Sequence, residues 1–344
     1  MVMKNKFCFL ALSLLIFFGC GQNNQSQGTG SKSGDMKVKS DSTQLSTKDS
    51  STLKLSDLPK FKITFEREGG INIINSDLSG ERFLFNGHDN VISPDGSKVV
   101  TTKNNQDGTR SIIVFDVQSK TTKVLSSVTG KQSFDANFSP DGKSIVFCNF
   151  SGKKWNIALV NLDDTGFKIL SDRYKTDLFS PTFSSDGNSI LCQDMQNFIE
   201  FDLKGNIIRT ISLKEITGDK TIYFSSGNKG YFINNSEAIL FDADTEDFFD
   251  TSREPISNVF VYDIKTKTLK NLSDKNISTY DPFPLSDGKH ILVSAYTKSD
   301  LSKSSDPADM EPVVTSWIYI VNSDGTGKTK LVKNALEPSA SRTE

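Results

Sequence analysis

Histidine is scarce in this chain of 344 residues, which contains only His88 and His290. A zinc site built from three histidines is therefore excluded, and a Ser-His-Asp triad would have to use one of these two. The chain also lacks a G-x-S-x-G nucleophile elbow and a Walker or dinucleotide-binding loop. Paired carboxylates, as in a glycosidase or a lyase, stay open because aspartate and glutamate are plentiful.

A strong charge of one sign is also missing, because the net charge is −2 and both signs are interspersed. This balance provides no electrostatic footprint for nucleic acid. Apolar patterns of helical period are scarce, whereas Ser, Thr, Asn, Asp and Gly are abundant. The composition favours an all-β protein with many turns.

Cysteine is limited to four residues. Cys8 and Cys20 belong to the N-terminal segment, whereas Cys148 and Cys192 lie inside two predicted strands of neighbouring repeats. Packed sheets lie about 10 Å apart, and a disulfide requires Cα atoms within about 7 Å. We therefore predict that Cys148 and Cys192 are buried free thiols.

The one long apolar run of the sequence lies near its start. Lys4 and Lys6 precede residues 7–18, which suit the core of a secretory signal and are too short to span a bilayer. The following Gly19-Cys20 pair resembles a bacterial lipoprotein signal. That resemblance implies cleavage before Cys20 and acylation (palmitate) of its side chain. An ordinary secreted protein and an uncleaved anchor are the alternatives.

The predicted organisation has three parts. Residues 1–19 form the signal peptide. Residues 20–57 are polar, rich in Ser, Gly and Gln, and without apolar period, so we predict a disordered tether. Residues 58–344 form the folded domain. We expect a lipid-anchored protein of the bacterial cell envelope, at the outer membrane and facing the periplasm or the surface.

A short turn motif recurs along the folded part. "FSPDGKSIVF" at 138–147 returns in altered form at 92–101, 183–192 and 285–294. Proline presets φ for a type I turn, Asp tolerates the next position and Gly supplies a positive φ. Each copy therefore predicts a tight β-hairpin. We interpret "FSSGNKGYF" at 224–232 as a decayed fifth copy.

A second pattern, four apolar-rich residues followed by Asp or Asn, occurs six times. Its copies end at Asn75, Asp116, Asn161, Asp202, Asp263 and Asn322. Each unit can be divided into four strands, A to D. One such sheet cannot cover both of its faces, but six arranged radially can. The sequence predicts an all-β, six-bladed β-propeller of four-stranded antiparallel blades.

The two ends of the chain predict how the ring closes. The first unit begins with a B strand at 60–70 and has no A strand before it. Segments around Pro181, Pro282 and Pro338 align, and the last of these lies at the C-terminus. We predict that this C-terminal strand joins blade 1 and closes the ring.

Taken together, the hairpin motif and the "IYIVN-x-DGTG" strand pair resemble the repeats of TolB-type propellers, a WD40-like family. The resemblance covers about residues 60–342. It implies the propeller fold and a habit of binding protein partners; the N-terminal α/β domain of TolB has no counterpart in the repeat region.

Two insertions, 236–257 in blade 5 and 297–316 in blade 6, are predicted to lie between strands B and C on one face. Loops on a rigid scaffold commonly carry binding residues. Candidate partner-binding residues on this face are Trp155, Trp317, Phe248, Phe249 and Asp306. The phenylalanines either pack onto the blade or form a partner patch, and the tryptophans either cap a blade interface or bind a ligand.

The blade 5 insertion is acidic, and Asp242, Asp244 and Asp247 are candidate Ca²⁺ ligands because this ion prefers several oxygen ligands. The run has neither the Gly nor the Glu of a calcium-binding loop. We therefore predict a solvated acidic loop and no cofactor, with calcium as the alternative.

The sequence favours a non-catalytic propeller that binds an envelope protein or peptide through the face bearing the insertions. The alternatives are a carbohydrate-binding or carbohydrate-cleaving propeller and a component that only stabilises the envelope.

Overall fold

A computed structural model describes residues 52–250, 252–304 and 312–344, which all belong to one compact unit spanning Lys48–Glu344. The strands of its first half are, in chain order, β1 (Lys62–Arg67), β2 (Gly70–Asn75), β3 (Arg82–Asn86), β4 (His88–Ile92), β5 (Lys98–Asn104), β6 (Arg110–Asp116), β7 (Thr122–Val124), β8 (Ser133–Phe138), β9 (Ser144–Phe150), β10 (Trp155–Asn161), β11 (Lys168–Ile169), β12 (Phe179–Phe183) and β13 (Ser189–Gln193).

The strands of its second half are β14 (Asn197–Asp202), β15 (Ile207–Ser212), β16 (Tyr231–Ile233), β17 (Ala238–Phe248), β18 (Pro255–Asp263), β19 (Thr268–Asn271), β20 (Ile277–Pro284), β21 (His290–Thr297), β22 (Leu301–Ser302), β23 (Val313–Val314), β24 (Trp317–Asn322), β25 (Thr329–Lys333) and β26 (Leu336–Ala340). One short helix, α1 (Leu213–Thr217), and 3₁₀ turns at Leu55–Asp57 and Lys298–Asp300 complete the described elements.

Six four-stranded antiparallel sheets form the blades of a β-propeller, as predicted. From inner strand A to outer strand D, blades 1 to 6 are β26-β1-β2-β3, β4-β5-β6-β7, β8-β9-β10-β11, β12-β13-β14-β15, β16-β17-β18-β19 and β20-β21-β24-β25. The A–B and C–D turns lie on one side of the ring, which we call the turn face. The B–C and D–A connections lie on the other side, which we call the loop face.

The ring closes through the pairing of β26 with β1, which confirms the prediction from the aligned prolines. Ile63 pairs with Ala340 and Thr64 with Ser339 in antiparallel register. Beyond the strand, the Ser341 amide donates to the Lys62 carbonyl oxygen at 3.0 Å. The last strand of the chain therefore completes the sheet that the first strand begins.

Six clusters, one between each pair of neighbouring blades, form most of the hydrophobic core among the described residues. A seventh, smaller cluster consists of Phe249, Ile256 and Tyr296. Strand β9 is an example: successive side chains point to opposite faces of the sheet, so one strand contributes to the clusters on both sides of its blade. Ile145 and Phe147 pack toward blade 2, whereas Val146 and Cys148 pack toward blade 4. Cys192 lies in the same cluster as Cys148, and both are buried free thiols, as predicted.

The repeated hairpin motif has the predicted turn chemistry. In blade 3, Gly142 has a φ of 71°, the left-handed conformation that glycine adopts without steric cost. The Asp141 carboxylate accepts hydrogen bonds from the Ser139 hydroxyl at 2.6 Å and from the Lys143 amide at 3.0 Å. The motif thus satisfies its own polar groups within the turn.

Blade 5 differs from the prediction in two places. Its A–B turn lies at 234–237, where Asn234, Asn235 and Ser236 all have positive φ. The segment 224–232, interpreted above as the decayed turn, instead belongs to the D–A connection and the start of β16. The predicted insertion 236–257 is mostly the long hairpin of β17 and β18, and further extra residues lie at 213–230 around α1.

Residues at the N-terminal end of the described chain pack against the ring. Leu53, Leu55 and Leu58 contact the cluster between blades 1 and 6, and the Thr329 hydroxyl donates to the Leu53 carbonyl oxygen at 3.0 Å. The described end of the predicted tether, residues 52–57, therefore lies against the propeller. No helix among the described residues is long and apolar enough to cross a membrane.

Removing β26 tests the closure. A chain ending after Ala335 lacks the inner strand of blade 1, so Ile63 and Phe65 lose their cover. We expect calorimetry to show loss of the single cooperative unfolding transition. A chain ending after Ser341 keeps β26 and should melt within a few degrees of the full chain, which makes it the matched control. Equal melting of the two truncated chains would contradict the closure.

Candidate functional site

The inner strands surround an axial channel that holds a cavity at each end. On the loop-face side the cavity has a volume of about 140 Å³, and on the turn-face side a wider funnel has about 660 Å³. Val91, Tyr231 and Phe283 line both. The rings of Tyr231 and Phe283 meet edge to face with centroids 5.7 Å apart, so aromatic side chains narrow the channel between its two ends.

The smaller cavity, which we call the acidic cavity, owes its carboxylates to a repeated backbone bulge. In five blades, strand A contains one residue with a φ between 48° and 58°, accompanied by a shift in the strand register. Few residue types adopt this left-handed conformation readily, and Asp is one of them. The five bulged residues are Glu337, Asp89, Asp135, Ser180 and Asp281 in blades 1, 2, 3, 4 and 6.

Blade 5 contributes different chemistry to the acidic cavity. It supplies Asp242 from β17 and Lys229 from the connection before β16. The Lys229 ammonium lies 2.5 Å from the Asp135 carboxylate of blade 3. The cavity therefore contains five carboxyl groups and a single internal cation among the described residues.

Burial and mutual repulsion shift the protonation of these groups. Burial, followed by the negative charge of Asp281, raises the pKa of Asp242 to about 7. Burial also raises the pKa values of Asp89, Asp281 and Glu337. Burial lowers the pKa of Lys229, but the interactions with Asp135, Tyr231 and Asp89 together outweigh this effect, and the pKa is raised overall. With a pKa of about 7, Asp242 is partly protonated at neutral pH.

The described residues limit the chemistry of the channel. No three His, Cys, Asp or Glu side chains among them are arranged to hold a metal ion. Each histidine ring contacts a carboxylate: His88 Nδ1 lies 3.0 Å from Glu66, and His290 Nδ1 lies 2.6 Å from Asp287. The Glu66 hydrogen bond raises the pKa of His88. In both rings the carboxylate therefore contacts Nδ1.

The two tryptophans are held by neighbouring side chains. Trp155 packs edge to face on Phe134, with ring centroids 4.8 Å apart. Trp317 donates from Nε1 to Asp300 at 3.1 Å, and the Lys330 ammonium lies 4.2 Å from its ring. Both rings therefore have contacts that fix them within the blade edges.

The two neighbouring phenylalanines of blade 5 have opposite surroundings. Phe249 is buried and packs on Tyr296 with ring centroids 5.8 Å apart. Phe248, at the end of β17, is 55% exposed. The remaining predicted residues, Asp306 and the lipid-attachment residue Cys20, lie outside the described part of the chain.

The three candidate calcium ligands have different environments. Asp242 is buried beside the channel, Asp244 accepts a hydrogen bond from the Ser257 hydroxyl at 2.6 Å, and Asp247 is exposed. The predicted solvated acidic loop is instead largely strand, since residues 238–248 form β17.

Exposed apolar side chains mark a surface that the sequence analysis found only in part. Eight large hydrophobic residues are exposed in the described chain. Four of them lie on outer strands, namely Phe83, Val124, Ile207 and Ile208. The other four lie on the loop face of blades 4 to 6, and we call them the apolar patch: Met195, Tyr223, Phe248 and Val313.

Comparison with known proteins identifies the type of fold. No family model matches the chain. Similar solved structures include TolB from Acinetobacter baumannii, at 14% identity over 83% of this chain and 67% of that chain, with a TM-score of 0.58. A TolB protein from Agrobacterium tumefaciens has 13% identity over 84% of this chain and 99% of that chain, with a TM-score of 0.55.

The chain folds as a TolB-like β-propeller. A chain of a nidogen–laminin complex is also similar, at 9% identity over 82% of this chain and 98% of that chain, with a TM-score of 0.54. At these low identities the similarity shows only the fold of this chain. The function of the chain has to be argued from its own residues.

The raised pKa of Asp242 predicts that the TolB-like propeller loses stability as pH rises. Between about pH 4 and pH 7 the folded protein keeps this proton and the unfolded chain releases it, so protons favour folding. The stabilisation is fully present below about pH 4 and is lost above about pH 7. For this one group it amounts to up to about 4 kcal/mol.

Thermal unfolding of variants measures how stability changes with pH. We expect Asp242→Asn to reduce the fall in melting temperature between about pH 5 and pH 8, because its amide cannot ionise. Asp247→Asn, an exposed change on the same strand, should keep the wild-type pH dependence. Identical slopes for both variants and the wild type would contradict a buried, proton-holding Asp242.

Proposed function

We propose that this protein is a non-catalytic scaffold that binds a protein or peptide partner through the loop face of blades 4 to 6. The apolar patch carries the proposal. Its four side chains come from four separate connections, yet all lie on one face, and no large apolar side chain is exposed in the described turns of the other face. Large apolar side chains that are exposed together on one face of a protein are candidates for an interaction surface.

Part of the patch borders a groove. Met195 and Tyr223 line a depression of about 510 Å³ together with Leu213, Ile222 and Phe224. Tyr223 is held there by paired main-chain bonds with Asp244 of 2.9 and 3.1 Å. Because the backbone around the groove is fixed, it can receive an apolar side chain of the partner without a large ordering cost.

The surroundings of Phe248 indicate the charge of the partner. The exposed side chains of Glu246 and Asp247 precede it on β17, and Asp250 follows it. Asp250 forms an exposed ion pair with Lys298 at 2.6 Å. A partner with apolar anchors and basic residues around them fits this hairpin best, since complementary charges favour encounter.

The comparisons support a binding role in general terms. TolB-type propellers resemble this chain in their repeats and share its fold, and the resemblance implies protein partners. One similar chain comes from a complex of nidogen with laminin. The carbohydrate alternative rested on Trp155, Trp317 and the acidic loop. The two tryptophans have contacts within the blades, and the loop is largely strand, so neither feature adds support for it.

Site-specific photo-crosslinking in cells tests the interaction face. A photoreactive residue at position 248 should give a discrete adduct, and one at position 207 on the outer strand should not. Changing Met195, Tyr223, Phe248 and Val313 to serine should reduce the adduct formed from a neighbouring position at least about tenfold, because a few apolar anchors dominate binding.

A second set of four changes provides the matched control. Replacing the equally exposed Phe83, Val124, Ile207 and Ile208 by serine removes similar apolar area from the outer strands. This variant should keep the adduct. Equal loss of the adduct in both sets, or adducts of the same kind from positions 207 and 248, would contradict binding through the loop face.

We further propose that acylation of Cys20 anchors the protein in the bacterial cell envelope, at the outer membrane. Two acyl chains give firm attachment because each buried CH₂ contributes about 0.8 kcal/mol. Cys20→Ser should move the protein from the membrane to the soluble fraction on cell fractionation, whereas Cys8→Ser should not. Membrane attachment of Cys20→Ser would contradict lipidation at this residue.

A further inference from the structure

The funnel on the turn face has walls of unusual composition for this protein. It is lined by Phe138, Phe183, Ile233, Phe283 and Leu285 from four inner-strand segments, with serine and asparagine residues between them. Although 24% of the residues in the chain are charged, no Asp, Glu or Lys lines this cavity in the described structure. A volume of about 660 Å³ with mainly apolar walls is in the range of small-molecule sites.

Only two lining residues can carry charge, and they differ in their surroundings. His290 Nδ1 lies 2.6 Å from the Asp287 carboxylate, within hydrogen-bond distance. Arg342 is exposed, and one terminal nitrogen of its guanidinium donates to the Pro140 carbonyl oxygen at 2.7 Å. No carboxylate of the described residues lies within ion-pair distance of Arg342.

The main chain holds Arg342 at the mouth of the funnel. Its amide donates to the Pro94 carbonyl oxygen at 2.8 Å, so the residue bridges the turn of blade 2 and, through its side chain, the turn of blade 3. The remaining guanidinium N–H groups can bind a carboxylate in the planar, forked geometry that arginine favours.

Main-chain polar groups of the inner strands also face the funnel. Ser139, Ser184 and Ser341 donate their amides to strand B of their blades. Because hydrogen bonding alternates along an antiparallel pair, the amides of the preceding Phe138, Phe183 and Ala340 point away from strand B, toward the axis. The funnel thus combines apolar side chains and main-chain N–H and C=O groups with one arginine.

We propose that this funnel binds a small organic acid with an apolar body, whose carboxylate pairs with Arg342 at the mouth. The apolar part fills the space above Tyr231 and Phe283, which close the funnel toward the acidic cavity. The site lies on the turn face, opposite the apolar patch, so this inference does not depend on the proposed protein partner.

Calorimetric titration of the full chain with decanoate and with decanol tests the proposal, because these probes differ only in the head group. We expect decanoate to bind one site per chain, at least about tenfold more tightly than decanol. Arg342→Met keeps the aliphatic stem and should reduce this preference to less than about threefold. Arg82→Met, at an exposed site on blade 1, is the control for loss of one positive charge and should bind as the wild type does.

A second variant separates the cavity from the charge. Ser185 is an exposed turn residue at the mouth, and Ser185→Trp should block both probes, whereas Asn188→Trp in the same turn lies outside the funnel lining and should block neither. If Arg342→Met does not fold, Arg342→Lys retains the charge without the fork and should weaken decanoate binding several-fold.

Three results would overturn the proposal. They are the absence of saturable decanoate binding to the wild type, equal affinity for decanol, and decanoate binding that is unchanged by both Ser185→Trp and the Arg342 variant. A variant that binds decanoate but has lost the partner adduct would show that the funnel and the loop face act independently. A variant that keeps the adduct but has lost decanoate binding would show the same.

Discussion

Each blade of this propeller has two apolar faces, and only the neighbouring blades can cover them. In β9, alternate residues pack into different interfaces, so Ile145 faces blade 2 and Val146 faces blade 4. A four-stranded sheet with this pattern cannot be stable alone, because one face would always be in water. The ring removes that exposure only if it closes, which makes the pairing of Ile63 with Ala340 a condition for all six interfaces.

Closure also determines where binding chemistry can occur. Packing occupies the broad faces of the sheets, so variation is left to the two rims and to the axis. At the loop face, the connections of blades 4 to 6 are free to present Tyr223 and Phe248 to solvent. At the axis, the inner strands contribute most of the lining, and each provides one free edge. A rigid ring therefore offers separate places for a large partner and for a small ligand.

Much of the fold could be predicted because it rests on local chemistry that repeats. The Ser-Pro-Asp-Gly turns, the six strand C patterns and the aligned prolines each predict the same ring. Blade 5 was misassigned because its A–B turn at Asn234–Glu237 contains neither Pro nor Gly, whereas 224–232 contains two glycines for other reasons. Residue composition alone cannot distinguish the A–B turn from the glycine-containing connection.

The site was harder to predict than the fold. Strand alternation indicates that only one of Phe248 and Phe249 can be buried, but a shift in register between Asp244 and Phe248 decides which, and the sequence does not show it. The acidic cavity depends on residues from five blades, such as Asp89 and Glu337, which are close only in the closed ring. An alignment of the inner-strand sequences would have placed Asp89 and Glu337 at the same alignment position.

The two ends of the channel differ because one strand supplies both. Strand A enters from the loop face, and its bulge directs a polar residue such as Asp135 to the axis near that end. A few residues later, the same strand places Phe138 at the opposite end, beside the turn. Repeated around the ring, this order makes one cavity rich in carboxyl groups and the other free of them in the described chain. Tyr231 and Phe283 narrow the channel between the two, so an aromatic constriction lies between the end rich in carboxyl groups and the end that has none among the described residues.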